Sequence, residues 1–349
     1  MATDTITTLS EFLRQSGAKY RVFDMGRRVV KLSPDEFFNF EHGNEPYPYP
    51  FKKSALFGLV FWNEKQADNR YVWFLNLPLD EQGLLIQAAR DEFLVMVLDR
   101  VGECMLASDN GEKIEGALKD SPYAFKPRED RMAAFNAQVT HNLSLKPSAY
   151  FDDVNAYFSG ETTFDNWQSL GMQGFADFAA RMDNAETLSL IESIPFLPVP
   201  PFMILTTFLE NVDVDLSLVE IFCQRVHNEL QEKQPNIEHI AACLRAVSNS
   251  SATGLVLQMV RQVLSHSCSQ NIELLATISG RLWQSLEQQE LCHLFVEQLA
   301  QNNGGQAAFS QLLADLMFMP NMRTHVMAAL RSTNRSAELS KAVGVMFGG

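Results

Sequence analysis

The segment Asn236-Ile237-Glu238-His239-Ile240-Ala241 recurs 35 residues later as Asn271-Ile272-Glu273-Leu274-Leu275-Ala276. Asn is a preferred N-cap residue because its side chain accepts a hydrogen bond from a free N–H group of the first helical turn. A Glu in that turn interacts favourably with the helix dipole. Each copy therefore predicts the start of a helix, and Leu312-Leu313-Ala314, 38 residues after Leu274-Leu275-Ala276, extends the pattern.

Apolar residues at helical spacing predict partner helices at 254–265, 290–301 and 322–331, each after a short polar or Pro-containing turn. A helix-turn-helix unit cannot cover its own apolar face, so neighbouring units should stack into an α-solenoid of helical hairpins. We expect residues 183–335 to contain no β-strand and at least three antiparallel hairpins. Their buried side chains should include Leu244, Val247, Ile272, Leu275, Ile278, Leu282, Leu312, Leu313 and Leu316.

Before residue 110 the pattern changes to short β-favouring runs. Residues 20–23 and 29–32 flank a Gly-containing turn and predict a hairpin. Residues 54–62 and 70–77, joined by the polar loop 63–69, are rich in aromatic and branched side chains and predict a second strand pair. Helical spacing from residue 80 to about 106 predicts an amphipathic helix over one face of this short antiparallel sheet.

These patterns predict a mainly α protein with three parts. A small α+β domain occupies residues 1–110, a helical connecting region 111–182, and a HEAT-like helical-repeat domain 183–349. The connecting region begins with a polar surface segment at 107–127, and helices are expected at 129–142, 148–158 and 164–182. The apolar stretch 194–209, interrupted by four prolines, predicts two buried helix segments around a turn.

Two resemblances accompany this pattern. The segment 317–330 resembles the HEAT-repeat family, with Pro320 in the turn, Arg323 early in the second helix and Ala328-Ala329-Leu330 behind it. Residues 73–83, followed by the helical tail, resemble an uncharacterised family of bacterial proteins of this length, a domain of unknown function. The second resemblance implies no activity, so it assigns no functional residue.

Composition narrows the class of protein. The 349 residues are 46% hydrophobic and 20% charged, which is close to an ordinary globular average. The chain starts without a charged and apolar leader, and its most apolar stretch of 16 residues is shorter than a membrane span requires. Five cysteines without disulfide-like spacing (Cys104, Cys223, Cys243, Cys268, Cys292) suit reduced core thiols. We therefore expect a cytoplasmic protein that does not enter the membrane.

The formal net charge of −14 disfavours a broad nucleic-acid surface because like charges repel. The alternative of local single-strand binding would use Arg27, Arg28, Lys52 and Lys53.

Charge is unevenly placed in the helical half. Residues 183–232 contain nine acids and one base, Arg225, whereas residues 320–349 contain four bases and one acid. This asymmetry predicts an acidic surface, including Asp213, Asp215 and Glu220, that recruits a basic protein partner. The alternatives are head-to-tail self-association of the chain and an unselected solvated face.

One arrangement has the residue types of a zinc site. Cys223 and His227, and likewise His239 and Cys243, are four positions apart and share a helix face on either side of a turn. The preferred interpretation is that these residues belong to the packing seam of a hairpin, because Cys fits such seams without a metal. We therefore predict no metal and no cofactor, with the four residues as the alternative ligand set.

The sequence identifies no catalytic residue. It contains no Gly-x-Ser-x-Gly elbow and no phosphate-binding Gly-rich loop, and its adjacent carboxylates are typical of solvated helix starts. The aromatic and Pro-rich segment 47–51 is expected either to bind a partner groove or, preferably, to pack under Trp62 or Trp73.

The leading hypothesis is thus a cytosolic protein-binding or adaptor protein that uses an extended helical-repeat surface. The alternative is an enzyme or small-molecule-binding protein whose cleft, between the N-terminal and helical domains, is lined by Arg27, His42, Tyr47, Trp62 and Trp73.

Overall fold

The computed structural model describes residues 6–63, 69–101, 114 and 116–348. The chain divides into two compact units, residues 1–135 and 136–349. Four features lie wholly or partly outside the described residues: Cys104, residues 64–68 of the predicted loop 63–69, the end of the helix predicted to reach residue 106, and much of the predicted connection 107–127.

The N-terminal unit is built on a four-stranded antiparallel sheet, in the order β2-β1-β3-β4. The strands are β1 (Ala18–Asp24), β2 (Lys31–Leu32), β3 (Ser54–Asn63) and β4 (Arg70–Pro78). Both predicted strand pairs are confirmed, and β3 and β4 match the predicted bounds to within one residue. The long β3 pairs with β1 over seven positions and with β4 over nine, so it forms the centre of the sheet.

The helices that accompany the sheet include α1 (Leu9–Gln15), α2 (Pro34–Glu41) and α3 (Gln87–Val101). On one face Phe37 and Phe40 of α2 pack against Phe57, and Phe93 of α3 packs edge-on against Trp73. On the other face Gly58 lets the Phe135 ring approach so closely that an added Cβ would lie 2.6 Å from it. The sheet therefore has apolar contacts on both faces.

The start of α3 corrects the sequence prediction. A helix was expected from residue 80, but α3 begins at Gln87. The Asp80 carboxylate instead accepts the N–H groups of Gln82 and Leu84, and Gly83 has a φ of +81°. This turn, which Asp favours through its short side chain, delays the helix by seven positions.

The second unit is entirely helical apart from its connections. Its helices, of which the first begins in the N-terminal unit, are α4 (Glu129–Asn142), α5 (Phe151–Phe158), α6 (Met172–Arg181), α7 (Asn184–Ser193), α8 (Val199–Leu209), α9 (Leu216–Gln231), α10 (Ile237–Ala246), α11 (Thr253–Ser265), α12 (Ile272–Arg281), α13 (Gln289–Ala300), α14 (Gly305–Met317), α15 (Met322–Leu330) and α16 (Ala337–Phe347). Short 3-10 helices occupy Phe164–Ser169, Ile194–Phe196, Ser267–Gln270 and Trp283–Glu287.

The helices from α5 to α16 form two rows. In one row α6, α8, α10, α12, α14 and α16 contact one another in turn, and in the other α5, α7, α9, α11, α13 and α15 do so. Consecutive helices such as α9 and α10, α12 and α13, and α14 and α15 join the rows as hairpins. Residues 183–335, all of which are described, contain no β-strand, as predicted.

The repeated segments begin helices as expected. The Asn236 side chain accepts the N–H of His239, and the Asn271 side chain accepts the N–H of Glu273. The helix predicted at 164–182 is interrupted, however. Gly171 adopts an extended conformation, and an added Cβ would lie 3.0 Å from the Tyr150 ring, so the chain turns here before α6 begins.

The predicted core of the rows is largely confirmed. Seven of the nine side chains are buried, whereas Ile272 and Leu312 are half-buried. The stretch 194–209 was predicted to form two buried helix segments around a turn. The two segments are the 3-10 helix Ile194–Phe196 and α8, but their predicted burial is only partly correct, because Pro195, Phe196, Val199 and Pro200 are exposed. Apolar composition alone does not reveal which face a short Pro-rich connection presents.

Candidate functional site

The acidic segment 183–232 covers α7, α8 and α9. Its exposed carboxylates are Asp183, Glu192, Asp213, Asp215, Glu220 and Glu232. Glu210, in contrast, is buried and pairs with Arg281 through an Oε2 to Nε distance of 2.9 Å. The segment therefore presents most, but not all, of its negative charge to solvent.

Two of the three predicted partner-binding acids also shape the backbone. Asp215 is the N-cap of α9 and accepts the N–H of Ser217 at 2.9 Å, and Asp213 accepts the N–H of Ser251 at 2.7 Å. Glu220 lies on the exposed side of α9. A substitution that removes the charge of Asp213 or Asp215 must therefore keep a hydrogen-bond acceptor to leave the fold intact.

The single base of the segment points inward. The Arg225 guanidinium donates to the Ile194 carbonyl at 3.0 Å, lies 3.3 Å from His239 Nε2, and stands over the Phe202 ring at 4.7 Å. Arg225 thus connects α9 to the 3-10 helix that follows α7 and to α10. Because its charge is engaged in these contacts, the exposed acids are left to dominate the local field.

Next to these acids lies an exposed apolar segment, residues 195–200. It contains no polar side chain, and 70% of Phe196 and 59% of Val199 are exposed. The Phe196 ring stacks on Phe164, with centroids 6.4 Å apart, so it is positioned although it is exposed. Sequence reasoning missed this surface. The signal that could have found it is the spacing of Pro195, Pro198 and Pro200, because proline fits the first turn of a helix but not its interior and so places the start of α8 near residue 199.

A groove of about 430 Å³ begins at this segment and follows α9. Its apolar lining is Ile194, Pro195 and Ile221, and its polar lining is Gln224, Arg225, Asn228, Glu229 and Glu232. An apolar floor with acidic and amide side chains around it suits a partner that combines apolar and basic residues.

The structure does not bring together the alternative zinc ligands, Cys223, His227, His239 and Cys243. His227 is exposed, whereas His239 is engaged on both sides, with Nδ1 3.1 Å from Glu229 Oε1 and Nε2 facing Arg225. Cys243 is buried in the seam. Among the described residues, no three His, Cys, Asp or Glu side chains are grouped so that they could hold a metal ion.

The described cysteines have the character of core thiols. Burial raises the pKa of Cys223 to about 11 and those of Cys243 and Cys292 to about 12. These thiols remain protonated near neutral pH, and a protonated thiol is a poor nucleophile and a poor metal ligand.

Of the residues proposed to line a cleft, Arg27 and Tyr47 meet at the Asp24 carboxylate. Tyr47 Oη donates to Asp24 Oδ1 at 2.9 Å, and the Arg27 backbone N–H donates to Oδ2 at 3.0 Å. Both side chains are buried. Segment 47–51 therefore packs on its own unit, but against Asp24 and Phe40 rather than beneath Trp62 or Trp73.

The other three residues are dispersed. Trp73 is buried, and its Nε1 donates to the Ile114 carbonyl at 3.2 Å. Trp62 is half-buried beside Arg21, and His42 Nδ1 lies 2.8 Å from the Phe38 carbonyl oxygen. Within the N-terminal unit these side chains occupy different surroundings.

The four bases considered for binding single-stranded nucleic acid differ in their exposure to solvent. Arg27 and Arg28 are each only 2% exposed, whereas Lys52 and Lys53 are exposed in a turn with φ values of 49° and 61°. Two buried guanidinium groups cannot contact a phosphate backbone, so this alternative retains only the two lysines.

None of the described helices combines the length and apolar character that crossing a membrane requires. No curated protein and no solved structure matches the chain. A family model described as a protein of unknown function, DUF3549, matches residues 4–347. Because this match covers nearly the whole sequence, the chain belongs to the DUF3549 family.

Proposed function

We propose that this protein is a cytosolic protein-binding or adaptor protein and that its helical unit supplies the recognition surface. The observation that carries the proposal is the exposed apolar segment 195–200 beside the exposed acids of α7 and α9. Exposed contiguous apolar surface is unfavourable in water unless a partner covers it, and a polar rim around it is typical of interaction sites.

The chemistry of the surface indicates the partner. Phe196 and Val199 offer the apolar area that supplies most binding energy, because aromatic and branched side chains lose water on contact. Glu232 lines the same groove as Pro195, and Glu192 is three positions before Pro195 in the chain, so both add negative charge nearby. A protein segment that carries apolar residues flanked by Lys or Arg satisfies both requirements.

The arrangement of helices in two rows supports a HEAT-like solenoid, the fold class in which stacked hairpins offer an extended binding surface. A cytoplasmic location is supported by the free thiols of Cys223, Cys243, Cys268 and Cys292, which suit a reducing compartment. Separating cell fractions and detecting the untagged protein tests the location directly.

The proposal is tested by quantitative affinity purification from native cells with the double variant Phe196→Ser/Val199→Ser. The matched control is Val345→Ser/Phe347→Ser, which removes apolar side chains of similar exposure, 55% and 59%, from α16. We expect at least one protein to be retained by the wild type and by the control variant, and to be lost with the segment variant.

The control also distinguishes self-association, because a head-to-tail contact between copies would be weakened by both double variants. If no protein is lost selectively with the segment variant, while a small molecule raises the melting temperature of the purified protein, the adaptor proposal is replaced by the ligand-binding alternative.

A further inference from the structure

We propose that the open edge of β1 accepts an additional strand from an extended, acidic segment of a partner protein. This site lies in the N-terminal unit and is independent of the apolar segment 195–200. It rests on three features of the described residues: an incompletely paired strand, a groove alongside it, and a concentration of bases in an acidic protein.

The edge is open because β2 is short. β3 pairs with β1 from Ala18 to Asp24, whereas β2, on the other side, pairs only with Val22 and Phe23. If the same register continued, Tyr20 would face Pro34. Proline has no N–H group to donate, and Pro34 already begins α2, so within the described chain the ladder stops there.

The direction of the backbone groups follows from the neighbouring bonds. The Asp24 N–H donates to the Val30 carbonyl on the β2 side, whereas the Met25 N–H donates to Leu56 on the β3 side. Since alternate residues of a strand face the same side, the groups of Ala18 and Tyr20 face the open edge. The Tyr20 carbonyl accepts the Arg21 guanidinium at 2.9 Å, a side-chain contact that an added strand would replace with a backbone N–H.

A groove of about 660 Å³ runs along this edge. Tyr20, Val22 and Phe37 give it an apolar lining, and the half-exposed Phe38 continues that lining towards solvent. Its charged lining consists of the bases Arg14, Lys19, Arg21 and Lys31 and the acid Asp35. In a chain of net charge −14, this excess of bases favours an acidic ligand.

The pleat of β1 predicts the pattern of the ligand. Tyr20 and Val22 lie on the face covered by Phe37, whereas Lys19 and Arg21 lie on the opposite face, where Arg21 stands over Trp62. A strand added beside β1 therefore places alternate side chains next to Phe37 and next to the bases. The expected ligand alternates apolar and acidic residues, a pattern that addition to a sheet edge can select.

The probe is a fluorescent peptide of about six residues, the usual length of a strand, that alternates Val and Glu. Its charge control alternates Val and Lys. Two further peptides carry N-methyl groups on alternate amides, one in each register, so that only one of them loses the N–H groups that face β1. We expect the Val-Lys peptide and one N-methylated register to bind at least about tenfold more weakly, with the other register little changed.

The protein variant is Lys19→Glu/Lys31→Glu, which changes two exposed groove lysines. The control, Lys52→Glu/Lys53→Glu, makes the same change of charge at two exposed lysines that do not line the groove. We expect the groove variant to bind the Val-Glu peptide at least about tenfold more weakly and the control variant to bind it nearly as well as the wild type. Hydrogen exchange should show the Ala18 and Tyr20 amides becoming protected when the peptide is bound.

Three outcomes overturn the proposal. If the groove variant and the control variant weaken binding of the Val-Glu peptide equally, the peptide is attracted by net charge alone. Equal binding of both N-methylated registers would show that no strand is added. Competition by single-stranded nucleic acid at lower concentration than the peptide would assign the groove to that ligand instead.

Discussion

Glu41 and Asp24 of the N-terminal unit are held differently from Glu210 of the helical unit, although that unit also buries Asp177, which accepts the Ser148 N–H at 2.9 Å. In the N-terminal unit Glu41 accepts the N–H groups of Leu9 and Ser10 at the start of α1, and Asp24 accepts three backbone N–H groups and the Tyr47 hydroxyl. In the helical unit Glu210 pairs with the Arg281 guanidinium. Burial raises the pKa of Glu41 to about 7 and that of Asp24 to about 6.

The stability of the two units should therefore be sensitive to different changes. A carboxylate held by neutral donors favours its protonated form when buried, so the stability of the N-terminal unit should respond to pH near neutrality. A carboxylate held by a guanidinium depends on that partner, so the helical unit should respond to loss of the cation.

The largest effect is expected from breaking the buried pair. Arg281→Met leaves the Glu210 carboxylate buried without its cation and should lower the free energy of unfolding by about 3 kcal/mol. The control is Arg261→Met, which removes an exposed ion pair with Glu290 and should change stability little. Urea unfolding followed by circular dichroism measures both, and equal effects would remove the distinction between the units.

Glu41→Gln tests the pH response. Because the pKa of Glu41 is raised from 4.5 to about 7 on folding, its contribution to stability is full below pH 4.5 and is lost as pH rises through about 7. The wild type should thus gain up to about 3 kcal/mol relative to the variant as pH falls across this window. Glu45→Gln, an exposed carboxylate nearby, is the control, and a wild-type curve parallel to that of Glu41→Gln would contradict the assignment.

Sequence patterns predicted the elements well where local chemistry decides them. The aromatic and branched residues of β3 and β4 and the Asn caps of α10 and α12 identified their elements to within about a residue. The sequence patterns failed mainly where contacts between residues far apart in the chain determine the structure. The exposure of Phe196 depends on which helices lie beneath it, and a Cβ at Gly171 would lie 3.0 Å from the distant Tyr150 ring. The late start of α3 has a local cause, the Asp80 turn, which the apolar spacing did not reveal.

The groove along β1 was also beyond the sequence patterns. It depends on β2 ending after two residues and on the register that places Pro34 opposite Tyr20. Neither feature follows from strand propensity, because pairing partners are distant in sequence.

A smaller effect separates the two roles of Asp215. Asp215→Ala removes the N-cap of α9 and should cost about 1 kcal/mol, whereas Asp215→Asn keeps the acceptor and should cost only a few tenths. Thermal unfolding compares the two variants. If Asn is as damaging as Ala, the charge rather than the cap stabilises the helix.

Because the Asp215 carboxylate also caps α9, the acidic surface should be neutralised with Asn and Gln rather than with Ala. The variant Asp213→Asn/Asp215→Asn/Glu220→Gln removes charge while keeping acceptors. If the acids recruit a basic partner, raising the ionic strength from about 0.05 to about 0.5 M should slow wild-type association several-fold and dissociation much less. The neutral variant should lose most of this salt dependence, as measured by surface plasmon resonance with the identified partner. An unchanged association rate and salt response would make the acids a solvated face.

The central claim, that the exposed segment 195–200 contacts a protein partner, is tested most directly by a photo-crosslinking amino acid at position 196 in native cells. The matched position is 345, whose side chain is also exposed and apolar but lies on α16. We predict that position 196 crosslinks reproducibly to one protein that position 345 does not capture, and that Val199→Ser weakens this crosslink. If both positions give the same crosslinked products, or if position 196 gives none, segment 195–200 does not contact a specific protein partner.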